Sequence, residues 1–240
     1  PVVENLRAEC EKDFRDVSLK EKVSLMKNYN NIIINFSPKI QSSVADYHDR
    51  YSVVHFASSE GTYIRQEHPY LSIHFSAIAR EGDDVQMANE SIGTVKGYEQ
   101  ALQVSSLAQK AAQRAVNLLQ AKHAPGGEYT VILDPVLSGV FIHEAFGHLS
   151  EADFLYEDPR MQKLMVLGKE VGSKELNVVD DGSLPGLLGT SKYDDEGVLT
   201  RKNYLIKKGI LTGRLHSRET AAKMGEAVTG NARTISYHFK

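Results

Sequence analysis

Tyr70-Leu71-Ser72-Ile73-His74-Phe75-Ser76-Ala77-Ile78 alternates apolar and polar side chains, with Leu71, Ile73, Phe75 and Ala77 on one side. A period of two over nine residues is the signature of a strand with one buried face. Tyr51-Ser52-Val53-Val54-His55-Phe56 and Thr62-Tyr63-Ile64-Arg65 read the same way, with Glu60-Gly61 as the turn between them. Upstream the period changes. Ser18-Leu19-Lys20-Glu21 forms a capping box ahead of Val23, Leu25, Met26 and Tyr29, which marks a helix start. Downstream, residues 97–123 place Ala101, Leu102, Val104, Leu107, Ala108, Ala111, Ala115, Val116 and Leu119 on one broad helical face. Helices flanking an antiparallel sheet define an α+β fold rather than a strict β-α alternation.

Pro125-Gly126-Gly127 is the clearest break, since neither a helix nor a ladder accommodates it. The expected division is therefore residues 1–123, the helix and antiparallel-sheet domain, and residues 124–240, the first part of a mixed α/β catalytic domain. In the second, Glu128–Leu133 reads as a strand, and Asp134-Pro135 as an N-cap followed by proline at the first helical position. Residues 136–148 are apolar nearly all round, which predicts a buried helix. Leu176–Val179 is expected as a short strand. Lys202–Ile206 and Ile210–Leu215 read as a hairpin around Lys208-Gly209, and Ser217 caps a short helix to Lys223.

The charge balance of 28 Lys+Arg against 31 Asp+Glu lacks the dense basic surface that phosphate neutralisation needs, so a direct nucleic-acid partner is not expected. No apolar run approaches the roughly 20 residues of a membrane span, and no signal segment opens the chain, which predicts a cytoplasmic protein without a membrane partner. The lone Cys10 excludes a disulfide framework within the chain.

The chemistry concentrates at His143-Glu144-Ala145-Phe146-Gly147-His148. Two imidazoles and a carboxylate on an apolar helix are expensive to bury without a partner, and a metal ion supplies one. Neutral imidazoles bind zinc, and an adjacent Glu takes the proton of a water. The familiar metallopeptidase spacing separates the histidines by four residues, on one helix face. Here it is five, about 140° apart on a regular helix. Either an i→i+5 turn or a break at Gly147 brings the rings together. The competing reading is a pair of satisfied core histidines with Glu144 in an ion pair. Glu151 and Asp153, just past the helix, are candidates to orient a ligand imidazole, or are solvated loop carboxylates. Asp194-Asp195-Glu196-Gly197 lacks the ligand spacing of a calcium loop and reads as a turn.

Phe141-Ile142-His143-Glu144-Ala145-Phe146-Gly147-His148-Leu149-Ser150-Glu151-Ala152-Asp153-Phe154 resembles the metal-binding segment of the TldD/PmbA family, metalloproteases also described as modulators of DNA gyrase. Val179-Asp180-Asp181-Gly182, Asp194-Asp195-Glu196-Gly197 and Thr229-Gly230-Asn231-Ala232-Arg233 continue the resemblance in the family's order. Residues 1–123 look like the middle domain of such proteins. The intact His-Glu-x-x-x-His motif places the chain on the TldD side. The resemblance implies a zinc peptidase acting on peptides or unfolded proteins, with His143 and His148 as ligands and Glu144 as general base. It also implies a homo-oligomer or a heterodimer with a TldE/PmbA-like subunit. The family's third ligand is a Cys far downstream of the histidines. None follows His148 and Cys10 lies at the other end, so the expectation is an internal fragment with that Cys beyond Lys240. The alternative is a non-catalytic binding module that modulates a partner such as DNA gyrase.

Overall fold

The computed structural model describes residues 1–234. They form an α+β fold of two compact units: residues 1–55, 63–127 and 186–188 in the first, and residues 56–62, 128–185 and 189 onward in the second.

The first unit is built on a four-stranded sheet. Its strands are β1 (Val3–Leu6), β2 (Ile40–Ala57), β3 (Tyr63–Glu81) and β4 (Asp84–Thr94). β3 lies between β2 and β1, and also pairs antiparallel with β4 from Leu71↔Thr94 to Glu81↔Asp84. Thr62–Arg65 and Tyr70–Ile78, expected as two strands, thus fall in one from Tyr63 onward. Pro69 lies within β3 between the stretch paired to β1, Tyr63–Gln66, and the stretch paired to β4. A proline lacks the ladder donor, and this gap is where the loss is tolerated. β4 escapes the pattern because two of its large apolar residues face outward. Val85 and Met87 are 52% and 57% exposed while Ala88 is buried.

Two helices, α1 (Leu19–Ile34) and α2 (Ser105–Leu118), complete this unit. Ser18 accepts from the Glu21 N–H, the expected N-cap. Tyr29 and Ile33 of α1, Leu71, Ile73, Phe75, Ala77 and Ala79 of β3, and Ala108, Ala111, Ala112 and Ala115 of α2 form one core. The alanine stripe lets α2 lie close to the sheet with little rotamer entropy to lose. Residues 97–123 are not a single helix: a 3-10 turn over Tyr98–Gln103 precedes α2, and Leu102 is half exposed.

Among the described residues the second unit carries four helices, α3 (Pro135–Ile142), α4 (Ala152–Tyr156), α5 (Pro159–Leu164) and α6 (Arg218–Met224). Its three-stranded antiparallel sheet comprises β5 (Val178–Asp181), β6 (Lys202–Lys207) and β7 (Ile210–Leu211). β6 and β7 form the expected hairpin, and Lys208 and Gly209 between them both take positive φ, 51° and 78°. That is the twist-compatible two-residue turn. Its core joins Leu155, Met165, Val178, Leu205, Ile206 and Leu211, with Ile142, Phe146 and Leu215 packed against it.

Two expectations for this unit are corrected. Glu128–Leu133 is not a strand among the described residues, and Ile132 there is 99% exposed. The apolar helix is not buried. Val136, Leu137, Val140 and Phe141 of α3 are all more than half exposed, and of its residues Ile142 packs on the core. No helix of the described residues is long and apolar enough to cross a membrane.

Candidate metal centre

Asp134 begins the site. Its carboxylate accepts from the Leu137 N–H at 2.9 Å, and Pro135 occupies the first helical position. The helix continues through Ile142 and then widens. His143–Gly147 is a π turn, in which the His148 N–H donates to the His143 carbonyl five residues back. Gly147 keeps helical angles (φ −54°, ψ −53°), so the alternative of a break there does not arise. Ile142, just before the turn, and Phe146, within it, both pack on the core of this unit. Ser150 closes it by donating to the Gly147 carbonyl at 2.6 Å.

The widened turn brings the two imidazoles together, with ring centroids 4.5 Å apart and planes at 68°. One donor atom from each of His143, Glu144 and His148 lies within 4.8 Å of the others, and all three side chains are solvent-exposed. Glu144 Oε2 is 4.0 Å from His148 Nε2. The other nitrogen of His148, Nδ1, is 2.7 Å from Glu151 Oε1. A proton on Nδ1 donated to that carboxylate leaves the Nε2 lone pair free. A carboxylate behind the imidazole is the usual arrangement for a metal-ligating histidine.

These residues fit a metal ion in donor type and spacing. They offer two imidazoles as ligands with a carboxylate beside them, one protein ligand short of the three usual at catalytic zinc sites. Asp153, the other candidate for orienting an imidazole, is exposed in the first turn of α4 and makes no hydrogen bond to either histidine. The turn reading of Asp194–Gly197 agrees with the structure: Asp194 is buried and its Oδ1 accepts from the Glu196 and Val198 N–H groups.

The remaining sequence blocks lock onto one another. Asp194 Oδ2 accepts from the Ala232 N–H at 3.1 Å, and Asn231 donates through Nδ2 to Asp180 while accepting from Asn203 Nδ2 at 3.0 Å. These bonds rim a cavity of about 700 Å³ whose lining includes Glu151, Asp153, Asp195 and Arg233. Sequence reasoning missed His216, Arg214 and Glu226. His216 is 2% exposed, with Nε2 3.0 Å from Glu226 Oε2 and Nδ1 3.1 Å from Thr220 Oγ1. Glu226 also pairs with the buried Arg214, which donates to the Met165 carbonyl at 2.5 Å. No spacing signal joins these residues, because separate loops bring them together.

The family model of the PmbA/TldA metallopeptidase central domain matches residues 12–119, and that of the PmbA/TldA metallopeptidase C-terminal domain matches residues 126–240. The chain belongs to the PmbA/TldD family. It is 45% identical over 228 residues to the metalloprotease slr0863 of Synechocystis, covering 95% of this chain and 49% of that protein. It is 33% identical over 223 residues to the zinc metalloprotease TldD homolog of Saccharolobus solfataricus, covering 91% and 49%. The chain thus spans about half the length of the curated relatives it matches. Among solved structures, a Thermotoga maritima protein named for DNA gyrase modulation superposes with a TM-score of 0.79 at 22% identity, over 96% of this chain and 53% of that one. TldE from Thermococcus kodakarensis gives 0.70 at 19% identity, over 99% and 54%. Both share the fold.

Proposed function

We propose that this chain carries the catalytic site of a zinc-dependent TldD-type metallopeptidase acting on peptides or unfolded proteins. The observation that carries the reading is the π turn, which converts a five-residue spacing into a convergent His143–Glu144–His148 cluster backed by Glu151. A zinc ion held by the two imidazoles would, when bound, polarise the scissile carbonyl and a water as a Lewis acid. In this reading Glu151 holds His148 in the tautomer that presents Nε2. Glu144 accepts the proton of the attacking water and delivers it to the leaving amine nitrogen, so its carboxylate ends the cycle unprotonated. Residues 124–240 supply this chemistry and residues 1–123 form the accompanying middle domain. The likeness to TldE supports assembly with a TldE-like subunit, and a cytoplasmic location accords with unfolded substrates. The gyrase-modulating module has less support, since the relatives with the higher identities are named metalloproteases.

The test is Glu144→Gln in the intact protein, followed by peptide hydrolysis and metal analysis on one preparation. Hydrolysis is expected to fall by about 10²–10⁴-fold, the usual contribution of general acid–base catalysis, with zinc content unchanged. Retained hydrolysis refutes the base assignment, and lost zinc makes Glu144 a ligand instead.

A further inference from the structure

We infer that Glu226 and His216 are positioning residues of the His143–His148 site, acting through the backbone of Leu215 and through Glu151; this rests on the reading of the two histidines as metal ligands. Arg214 and His216 both reach Glu226, whereas Leu215 between them packs on the core of this unit. Glu226 joins the first two, pairing with Arg214 through Oε1 and with His216 through Oε2 at 3.0 Å. Thr220 closes the far side of the imidazole at 3.1 Å, and Thr229 Oγ1 accepts from the His216 N–H at 2.6 Å. Arg214 and His216 are 9% and 2% exposed. Losing one partner from such a buried network leaves charged or polar groups unsatisfied.

Leu215, held between them, is bridged in parallel to Glu151. The Leu215 N–H donates to the Ser150 carbonyl at 2.8 Å, and its carbonyl accepts from the Ala152 N–H at 2.9 Å. Its side chain packs on the same small core as Ile142 and Phe146, the residues that seat the π turn. The same backbone segment therefore fixes both the carboxylate that faces His148 Nδ1 and the turn that carries both imidazoles. Glu226 touches none of the reacting groups. Its role is to hold residue 215 in place.

The experiment uses the intact protein and its Glu226→Gln, Glu151→Gln and doubly substituted variants, with Glu219→Gln as a control in α6. Zinc affinity is measured by chelator competition, and amide exchange on the metal-free protein. Glu226→Gln is expected to speed exchange at the Leu215 and Ala152 amides and to weaken zinc about tenfold, the low end for groups that orient a ligand. The double variant is expected to bind zinc no more weakly than Glu151→Gln alone, because both act through one route. Unchanged exchange at those two amides, zinc affinity equal to the wild type, or multiplicative losses in the double variant would overturn the proposal. Should Glu226→Gln fail to fold, Glu226→Asp carries the same measurements. A wild-type protein whose zinc affinity is indifferent to His148→Ala refutes the metal reading itself, whereas His148-dependent zinc with an indifferent Glu226→Gln refutes this proposal alone.

Discussion

At the scale of single residues, some carboxylates stabilise the fold through several contacts at once. Glu67 in the first unit accepts from Tyr51, from the Ala8 N–H at 3.0 Å and from Arg65, and these contacts hold its carboxyl down to about 2. A depressed folded pKa stabilises the protein fully above the ordinary value and is lost as pH falls toward the folded one. The window is thus about pH 4.5 down to about 2. Glu67→Gln is expected to lower stability at neutral pH and to flatten its decline across that window, as read by denaturant titrations at stepped pH. Glu144, by contrast, has an exposed side chain. Its pairing with two histidines was legible from residue type and spacing alone. His216 and Glu226 were not, because they are ten positions apart with no helical or strand period linking them, and they meet only after the 214–216 segment and α6 fold.

At the scale of elements, the sequence carried the caps and the alternation, and missed what tertiary neighbours decide. Asp134, Ser18 and Ser217 were all visible as N-caps because capping is a local hydrogen bond. Glu128–Leu133 alternates like a strand but is not one among the described residues, since local alternation alone does not decide strand pairing. The choice between a π turn and a break at Gly147 was likewise open in the sequence; the packing of Ile142 and Phe146 accompanies the π turn. A Cβ added to Gly147 would meet His143 Nδ1 at 3.6 Å, an ordinary contact. Gly147→Ala is therefore expected to keep zinc binding within a few fold, measured by chelator competition; total loss would show that backbone freedom there is required. Asp134→Ala should destabilise the second unit by about 1 kcal/mol, the typical worth of an N-cap, in denaturant unfolding.

At the scale of the whole molecule, exposed apolar surface stands out. Ile132 is 99% exposed, Val136 78% and Val131 65%. Apolar surface of this kind marks an interaction site or an aggregation liability. The 240-residue chain is expected to self-associate as concentration rises, and Ile132→Lys with Val136→Lys to suppress this, by sedimentation velocity; an unchanged profile would locate the sticky surface elsewhere. The two separate hydrophobic cores have a calorimetric consequence. The sheet core of the first unit contains none of the candidate ligands, whereas the second unit's smaller core packs directly on the turn that carries His143 and His148. A ligand stabilises the structure that binds it by mass action, by about 2.7 kcal/mol at a hundredfold excess over Kd. Heating the protein across a zinc series should therefore split its melting endotherm, one component climbing with the logarithm of free zinc and the other standing still.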